Sequence, residues 1–513
     1  MAKIKVHEKA LAHLSRGLYR SPASALRELV SNAWDASATT VRVDTGAPNF
    51  TQLSVQDNGK GFTEAEFIEL MEGGIGNSEK RSDAAVLVNG RPVIGRLGIG
   101  MLGIAQITGS FTITSKTHDG KGFRARIDLY DLMRPKLDRD DQQVVRDLDA
   151  ADGVREVDVG EYEILKDFDP SPYKVGTTIL TNDLHPAFVQ SFRETYREPP
   201  RDWAAFIEES TKLEPIQAAG DYWRLLWELG AACPVAYVGP TALPNRLIAE
   251  DQHRLEAFDF KVLVDSIELK RPVHLAGHKG GYTTLRIDDT RQKVFGREVA
   301  FHGYIAVQEG KQITPDELRG IMIRIREVGI GLYDRSLLDY RSNEGPRSRW
   351  ITGEIYVDEG LEDALNIDRD SFNRFHPEFR LIQKHVHEAL QKDVFPRVYK
   401  QIDVRSNARR DEREAARTKA IRAVLAEDGE AEVKVRKAND LTAEEVMEKT
   451  IVQQSGKVIE VSLPPPEAMP TKKPHQLLAI ALLAIYDVTQ RATSPRERRR
   501  AFIERLLSLL AKW

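Results

Sequence analysis

The sequence has a single cysteine, Cys233, and no long apolar stretch. A lone cysteine excludes a disulfide-stabilised scaffold and fits a reducing compartment. The longest apolar run, Leu477–Tyr486, is far shorter than the roughly 20 residues that span a bilayer, and residues 1–14 lack the apolar core of a signal peptide. The 74 basic and 78 acidic residues leave a formal net charge of −4, so no global charge points to nucleic acid. We therefore expect a cytoplasmic protein without a membrane segment.

The 513 residues are enough for about three domains, and no repeat period suggests a solenoid. Residues 1–190 alternate helical and strand patterns, which is typical of an α/β layer, with an acidic insertion or loop at 128–169. Residues 191–255 look helical, with Trp203, Trp223 and Trp227 as core anchors. Strand patterns such as KVLVDSIEL favour a second α/β domain at 256–400. A charged helix and a Pro-rich linker follow at 401–470, and a pair of amphipathic helices at 471–513.

The segment after Ser21 predicts a helix with polar groups on one face. Ser21 is a good N-cap, and a proline is harmless in the first turn. Glu28, Asn32 and Asp35 then follow at helical spacing and share one face. Such a stripe is either an ordinary solvated face or a set of ligand-binding groups.

Two further patterns follow. The stretch LSVQDNGKGF predicts a strand that delivers Asp57 into a turn at Gly59 and Gly61, either as plain turn chemistry or to let a flat ligand approach the backbone. The stretch GRLGIGMLGIAQIT predicts a glycine-rich loop that opens a helix and offers free N–H groups to phosphates. It is neither the dinucleotide nor the Walker pattern.

These patterns in this order resemble the GHKL ATPases, which include the ninety-kilodalton heat-shock chaperones, MutL, MORC proteins, gyrase B subunits and histidine kinases. LRELVSNAWDA is similar to the family's N-box, DNGKGFT to its second motif and GRLGIGM to its third. GGIGNSEKR resembles the MORC and MutL lid. KVGTTILTN places Gly176 and Thr177 where the family closes the adenine pocket. The resemblance covers residues 15–185 and implies a Bergerat-fold sandwich, in which helices cover a mixed sheet.

The resemblance also implies roles for individual residues. Glu28 would be the general base that activates the attacking water, and Asn32 would ligate Mg²⁺. Asp57 would accept a hydrogen bond from the adenine amine of ATP and so select ATP over GTP. The other implied ATP-site residues are Asp35, Gly59, Gly61, Phe62 and Thr177 near adenine, Leu97, Gly98, Ile99, Gly100 and Met101 on the phosphates, and Ser78 and Lys80 in the lid. At Phe62 the family usually has methionine or isoleucine, in a pocket position that tolerates changes of volume.

A weaker resemblance extends into the second α/β domain. The run ending in DALNIDRDSFNRF resembles the loop of an S5-like transducer domain, in which a basic side chain reaches the γ-phosphate. Arg369 holds that place, and its alternative is an ordinary surface arginine. A guanidinium is well suited to developing phosphate charge. Arg324 and Arg326, which alternate on a strand, are lesser candidates.

The resemblance implies an ATP-hydrolysing clamp that closes as a homodimer. A histidine kinase would need a phosphoacceptor helix before the N-box, and a gyrase subunit or MutL endonuclease would need a further metal site that the sequence does not show. We therefore expect a MORC- or MutL-like switch in DNA-related or prokaryotic defence processes, with an effector such as a nuclease or helicase. The alternative is a chaperone-like clamp on client proteins. An apolar stripe in the last helix predicts either a dimer contact or a small separate core; it contains Phe502, Ile503, Leu506, Leu507 and Leu510.

Overall fold

The computed structural model describes residues 21–72, 100–129, 156–278, 280–340, 345–366 and 370–400. It also describes strands at 2–7, 87–88, 91–92, 432–436, 452–455 and 458–462, and short helical pieces between 402 and 415. The chain divides into two compact units, Met1–Val404 and Arg405–Trp513. No helix in these described parts combines the length and the apolar character that a bilayer crossing requires.

A nine-stranded mixed sheet organises the first half of the larger unit. Only one pair of its neighbours, β2 (Thr40–Asp44) and β10 (Lys261–Val264), runs parallel. Side by side, the strands are β1 (Ala2–His7), β8 (Glu156–Ile164), β7 (Gly122–Leu129), β6 (Thr108–Lys116), β9 (Gly176–Leu184), β3 (Leu53–Asp57), β2 (Thr40–Asp44), β10 (Lys261–Val264) and β11 (Ile267–Glu268). A separate hairpin pairs β4 (Leu87–Val88) with β5 (Arg91–Pro92).

Helices pack against this sheet through aromatic side chains. The ring centroid of Phe67 lies 4.9 Å from that of Phe123 on β7 and 5.2 Å from that of Tyr162 on β8. Trp34 meets Phe260 edge-on, with ring centroids 5.1 Å apart. The helices are α1 (Pro22–Asp35), α2 (Glu64–Glu72), α3 (Pro186–Glu194), α4 (Trp203–Ser210), α5 (Asp221–Ala232) and α6 (Asn245–Ala257), with short 3₁₀ turns at Gly100–Gln106 and Ile216–Ala219. The predicted anchors of the helical connector are all buried, namely Trp203, Trp223 and Trp227. The predicted α/β class, a mixed sheet covered by helices, is confirmed.

Two segments differ from the sequence-based expectations. The acidic stretch 128–169 contains strand β8, which pairs with both β7 and β1. The pairing register of β8 shifts opposite Ile4 and Lys5, and such a bulge interrupts the alternation that marks a strand. The run KVLVDSIEL supplies β10 and β11 to the first sheet, where Val262 pairs with Val41. The second sheet therefore begins after residue 268.

The second sheet of the larger unit has five strands and its own core. Side by side they are β12 (Tyr282–Val294), β13 (Arg297–Gln308), β16 (Ile351–Glu359), β14 (Gly320–Ile325) and β15 (Val328–Asp334), and only β14 and β16 are parallel. Helix α8 (Pro377–Ala389) adds Phe379, Ile382 and Val386 to this core, and the chain continues from it through a π-helical turn at Leu390–Val394. Short turns at Asp316–Leu318 and Glu362–Ala364 and helix α7 (Gly345–Ser348) complete this part.

The smaller unit contains a three-stranded sheet in its described residues. Strand β19 (Val458–Ser462) pairs in parallel with β17 (Glu432–Arg436) and antiparallel with β18 (Val452–Ser455). The expectation of a charged helix and linker at 401–470 missed these strands, because each is short and mixes polar with apolar residues. The predicted helical pair at 471–513 lies outside the described residues.

Candidate functional site

Helix α1 begins where the sequence predicts. The Oγ of Ser21 accepts a hydrogen bond from the backbone N–H of Ser24 at 3.3 Å, and Pro22 occupies the first turn. The Ser21 hydroxyl also donates to Oε2 of Glu228 at 2.9 Å. The cap therefore sets the first residue of α1 and ties its start to α5.

The polar side chains on one face of α1 differ in exposure. Glu28 is only 2% exposed, Asp35 is half-buried and Asn32 is exposed. A buried carboxylate is costly unless it is paired, and the neighbouring Arg27 supplies a partner, with Nη2 lying 3.3 Å from Oε1 of Glu28. Glu28 is therefore not part of an ordinary solvated face, while Asn32 is accessible to a ligand.

Asp57 ends β3 in a half-buried position beside α1. Its Oδ1 accepts hydrogen bonds from the backbone N–H groups of Gly59 at 2.7 Å and Thr177 at 3.4 Å. Burial raises the pKa of Asp57 to about 6, against the lowering effect of these two bonds. Its Oδ2 accepts no hydrogen bond from the described residues and can serve a ligand. The turn also contacts α1 directly, because the N–H of Lys60 donates to the carbonyl of Ala36 at 2.9 Å.

Two glycines bring backbone close together around Asp57. Gly61 has φ +65°, and a Cβ there would lie 2.2 Å from the carbonyl oxygen of Lys116. Gly176 has φ +126°, and a Cβ there would lie 2.1 Å from the carbonyl oxygen of Asp57. No side chain fits at either position. The two glycines therefore let the Asp57 turn pack closely against β6 and β9.

Two residues around the Asp57 turn were not singled out from the sequence. The Oγ of Ser115 accepts the backbone N–H of Phe62 at 2.9 Å and lies 3.5 Å from Oγ1 of Thr177. Phe62 itself is half-buried and packs on Phe123 with ring centroids 5.3 Å apart. Asn58 accepts the N–H groups of Thr39 and Thr40 at 2.9 and 2.8 Å, so it joins the ends of β2 and β3. The DNG sequence is typical of a turn and could have indicated Asn58, whereas no sequence pattern indicates Ser115.

The third motif and the lid are described only in part. Gly100 and Met101 begin the 3₁₀ turn Gly100–Gln106, which packs against α1. The other predicted phosphate-loop and lid residues lie outside the described residues; they are Ser78, Lys80, Leu97, Gly98 and Ile99.

The chain after the second sheet contacts α1 through Asp370. Arg369 lies outside the described residues, but Oδ1 of its neighbour Asp370 lies 2.5 Å from Nη1 of Arg27. Both side chains are buried. Asp370 is therefore paired with the residue that precedes Glu28 on α1.

The lesser arginine candidates have structural partners. Arg324 is fully buried, and its Nη2 lies 2.9 Å from Oε1 of Glu354. Arg326 is also buried, and its Nη2 lies 2.5 Å from Oε1 of Glu362. Both arginines are therefore paired with carboxylates within the part of the chain that contains the second sheet, and removing either carboxylate would leave a buried charge without that partner.

The part of the chain that contains α1 and β3 matches a known protein family. Residues 19–158 match the family of histidine kinase-, DNA gyrase B- and HSP90-like ATPases. This segment is a GHKL-type ATPase domain. The matched region includes α1 and Asp57 and ends before Gly176 and Thr177.

Two relatives resemble part of the chain. HgiDII of Herpetosiphon aurantiacus, which is classed provisionally as a type II restriction enzyme, is 38% identical over 101 residues, which make up 19% of this chain and 15% of HgiDII. The DNA mismatch repair protein MutL of Sphingopyxis alaskensis is 35% identical over 107 residues, which make up 21% of this chain and 17% of that protein. The chain thus spans less than a fifth of either relative. The crystal structure of the N-terminal domain of a DNA repair protein is 13% identical, with a TM-score of 0.37, over 75% of this chain and 98% of that one.

Proposed function

We propose that the site binds Mg-ATP and hydrolyses it to ADP and phosphate. The observation that carries this proposal is the half-buried Asp57 carboxylate, whose Oδ1 is held by two backbone N–H groups while its Oδ2 accepts no hydrogen bond from the described residues. The turn that holds it is bonded to the end of α1, the helix that carries Glu28 and Asn32. One end of the site thus offers a carboxylate oxygen as a hydrogen-bond acceptor, and the adjoining helix carries a carboxylate and an amide.

The adenine end explains selection of the base. Oδ2 of Asp57 accepts a hydrogen bond from the exocyclic amine of adenine, which guanine lacks at that position. Gly61 and Gly176 keep the backbone around Asp57 closely packed, and Thr177 closes the pocket. Asp35 supports this contact from the last turn of α1, and Phe62 lines the edge.

The phosphate end uses the other motifs. The backbone N–H groups of residues 97–101 bind phosphate oxygens, and Ser78 and Lys80 belong to a lid over the nucleotide. Asn32 would hold Mg²⁺, which when bound neutralises phosphate charge. Glu28 orients a water and accepts its proton, and Arg369 contacts the γ-phosphate.

ATP binding would drive the protein to act as a switch. Lid closure and pairing of two ATPase domains make a homodimeric clamp, and hydrolysis reopens it. The MutL and restriction-enzyme names of the partial relatives favour a DNA-related or defence process with an effector such as a nuclease or helicase.

The experiment that tests this proposal substitutes Glu28. Glu28→Ala is expected to keep Mg-ATP binding, to lose turnover by about 10²-fold or more, and to accumulate the closed dimer. Isothermal titration, phosphate release and light scattering measure these three properties. Glu66→Ala, at an exposed carboxylate on α2, is the matched control. Wild-type phosphate release from Glu28→Ala contradicts the assignment of the base.

A further inference from the structure

A cavity in the second part of the larger unit lies between helix α8 and the turn that follows β15. Its volume is about 730 Å³, which is within the range of small-molecule sites. The turn contributes Asp339 and Tyr340, and α8 contributes Arg380, Gln383 and Lys384. In the part of the chain that the structure describes, no residue of α1 or β3 lines it. The cavity is therefore separate from the proposed ATP site.

The positive charges of this cavity exceed its negative charges. Asp339 pairs with Arg374, and Oε2 of Glu388 lies 3.5 Å from the lysine Nζ four residues later. Neither Arg380 nor Lys384 pairs with a carboxylate of the described residues. These two cations are four residues apart on α8, where like charges are neighbours and repel each other. An anion bound between them would offset this repulsion.

The guanidinium of Arg380 is held from two sides. Its Nη1 donates to Oε1 of Gln383 at 2.9 Å, and its Cζ lies 5.5 Å from the ring centroid of Phe375. Gln383 is only 7% exposed, and its Nε2 donates to the carbonyl of Leu338 at 2.7 Å. The group that orients Arg380 is thus buried and bonded at both of its polar atoms. Nε and Nη2 of Arg380 donate to no described residue, so the guanidinium can offer them to an oxyanion.

The opposite wall of the cavity is a left-handed turn. Leu337, Leu338 and Asp339 have φ values of +55°, +58° and +57°, a region that residues other than glycine seldom occupy. Helix α8 holds this turn, because Nε2 of His387 lies 3.1 Å and 3.0 Å from the carbonyl oxygens of Leu337 and Leu338. Strained backbone of this kind is concentrated at ligand sites. The turn also sets Asp339 against Arg374, which leaves the cations of α8 as the unmatched charges of the cavity.

We propose that this cavity binds a phosphate-bearing small molecule, with the phosphate between Arg380 and Lys384. Arg380 presents N–H donors in a fixed orientation, and Lys384 adds a compact charge, so the pair matches a phosphate dianion. The concave shape and the volume favour a small molecule over the extended backbone of a nucleic acid. Tyr340, which is half-buried in the wall, offers an aromatic surface to the rest of the ligand.

The test measures binding of inorganic phosphate to the full-length chain by titration calorimetry. The buffer contains chloride and a non-hydrolysable ATP analogue, so that the proposed ATP site is filled. We expect the wild type to bind phosphate with a Kd of about 1 mM or tighter. Lys384→Gln and Arg380→Gln are each expected to weaken binding about tenfold or more, because each removes a charge-assisted contact.

The matched control is Lys400→Gln. Lys400 is an exposed lysine of the helical stretch after α8, and its substitution changes the net charge by the same amount as Lys384→Gln. We expect this variant to bind phosphate with wild-type affinity. Arg380 and Lys384 are also exposed, so neither substitution is expected to unfold the chain, and an unchanged circular dichroism spectrum checks this.

Three results overturn the proposal. The first is that the wild type binds no phosphate. The second is an equal loss of affinity in Lys384→Gln and Lys400→Gln, which indicates a non-specific effect of charge. The third is a mobility shift of duplex DNA that Lys384→Gln abolishes while phosphate alone does not bind, because this result assigns the two cations to nucleic acid.

Discussion

The backbone N–H of Thr177 donates to Oδ1 of Asp57 at 3.4 Å, although 120 residues of sequence separate them. Together with the N–H of Gly59, it occupies one oxygen of the carboxylate and leaves the other for a ligand. The second motif and the KVGTTILTN element thus act as one structural unit.

Asp57→Asn is expected to abolish nucleotide binding. The two backbone donors would hold the amide oxygen, so the amide NH₂ would face the adenine amine, donor against donor. Thermal stabilisation by ATP, about 2.7 kcal/mol at 100 times Kd for a binding protein, is expected to vanish. Asp44→Asn, at the exposed end of β2, is the control. An undiminished ATP-induced rise in Tm for Asp57→Asn would remove Asp57 from the site.

The raised pKa of Asp57 predicts how ATP affinity varies with pH. Because the ligand needs the ionised carboxylate and burial raises its pKa to about 6, affinity is expected to be constant above that pH and to weaken as the pH falls through about 6. Titration calorimetry from pH 8 to pH 5 measures this change. Affinity that stays constant down to pH 5 contradicts the assignment.

Arg369→Ala is expected to lower turnover with little effect on ATP affinity. The anchoring of its neighbour Asp370 on Arg27 brings this segment to α1, and a guanidinium on the γ-phosphate acts mainly as charge develops. Steady-state kinetics, with separate kcat and KM, measure the effect. Arg374→Ala, in the same segment and paired with Asp339, is the control. Equal kcat in the two variants would place Arg369 outside the reaction.

His302 predicts a loss of stability at alkaline pH. Burial disfavours its charged form, but hydrogen bonds from its ring to Asp251 at 3.1 Å and Asp358 at 3.2 Å outweigh burial and raise the pKa to about 10. A raised histidine pKa stabilises the fold fully below the unfolded value near 6.5, and this contribution is lost as the pH rises towards about 10. This contribution of His302 to the free energy of unfolding is on the order of a few kcal/mol.

Denaturant titrations at pH 6.5, 8 and 9.5 measure this change in the free energy of unfolding. His302→Gln is expected to flatten the profile, whereas His253→Gln, at an exposed histidine of α6, keeps the wild-type slope. Parallel profiles for His302→Gln and the wild type contradict the assignment of this ion cluster.

The proposed DNA-related role predicts an ATP-dependent interaction with duplex DNA. Since the net charge is −4, we expect no binding by the free protein and a salt-sensitive mobility shift with a non-hydrolysable ATP analogue. The shift is measured at 50 and about 200 mM salt. Suppression of client aggregation without any DNA shift supports a chaperone-like clamp instead.

Local chemistry made the helix and the turn of the candidate site predictable from sequence. Ser21 and Pro22 predict the start of α1, and helical spacing places Glu28 and Asn32 on one face. The glycine after Asn58 predicts the turn beyond Asp57. Each of these signals depends on neighbouring residues only.

Contacts that depend on distant residues were not predictable. The bulge in β8 interrupts the alternation of side chains that would have indicated a strand. The sequence of β10 is equally compatible with the second sheet, whose strands follow it in the chain, although β10 pairs with β2. Nothing near Arg27 or Asp370 indicates that they pair, because 343 residues separate them. Arg324 looked like a phosphate ligand because its partner Glu354 lies on another strand.

The position of β10 has a consequence for biosynthesis. Strand β2 has β3 on one side and β10 on the other, yet β10 lies beyond residue 158, where the family match ends. A fragment cut at that boundary would expose the N–H and C=O groups of β2 as an open edge to other chains. The same edge stays open on the ribosome until the connector helices have been made. A soluble fragment of the ATPase domain is therefore expected to require the chain through Glu268.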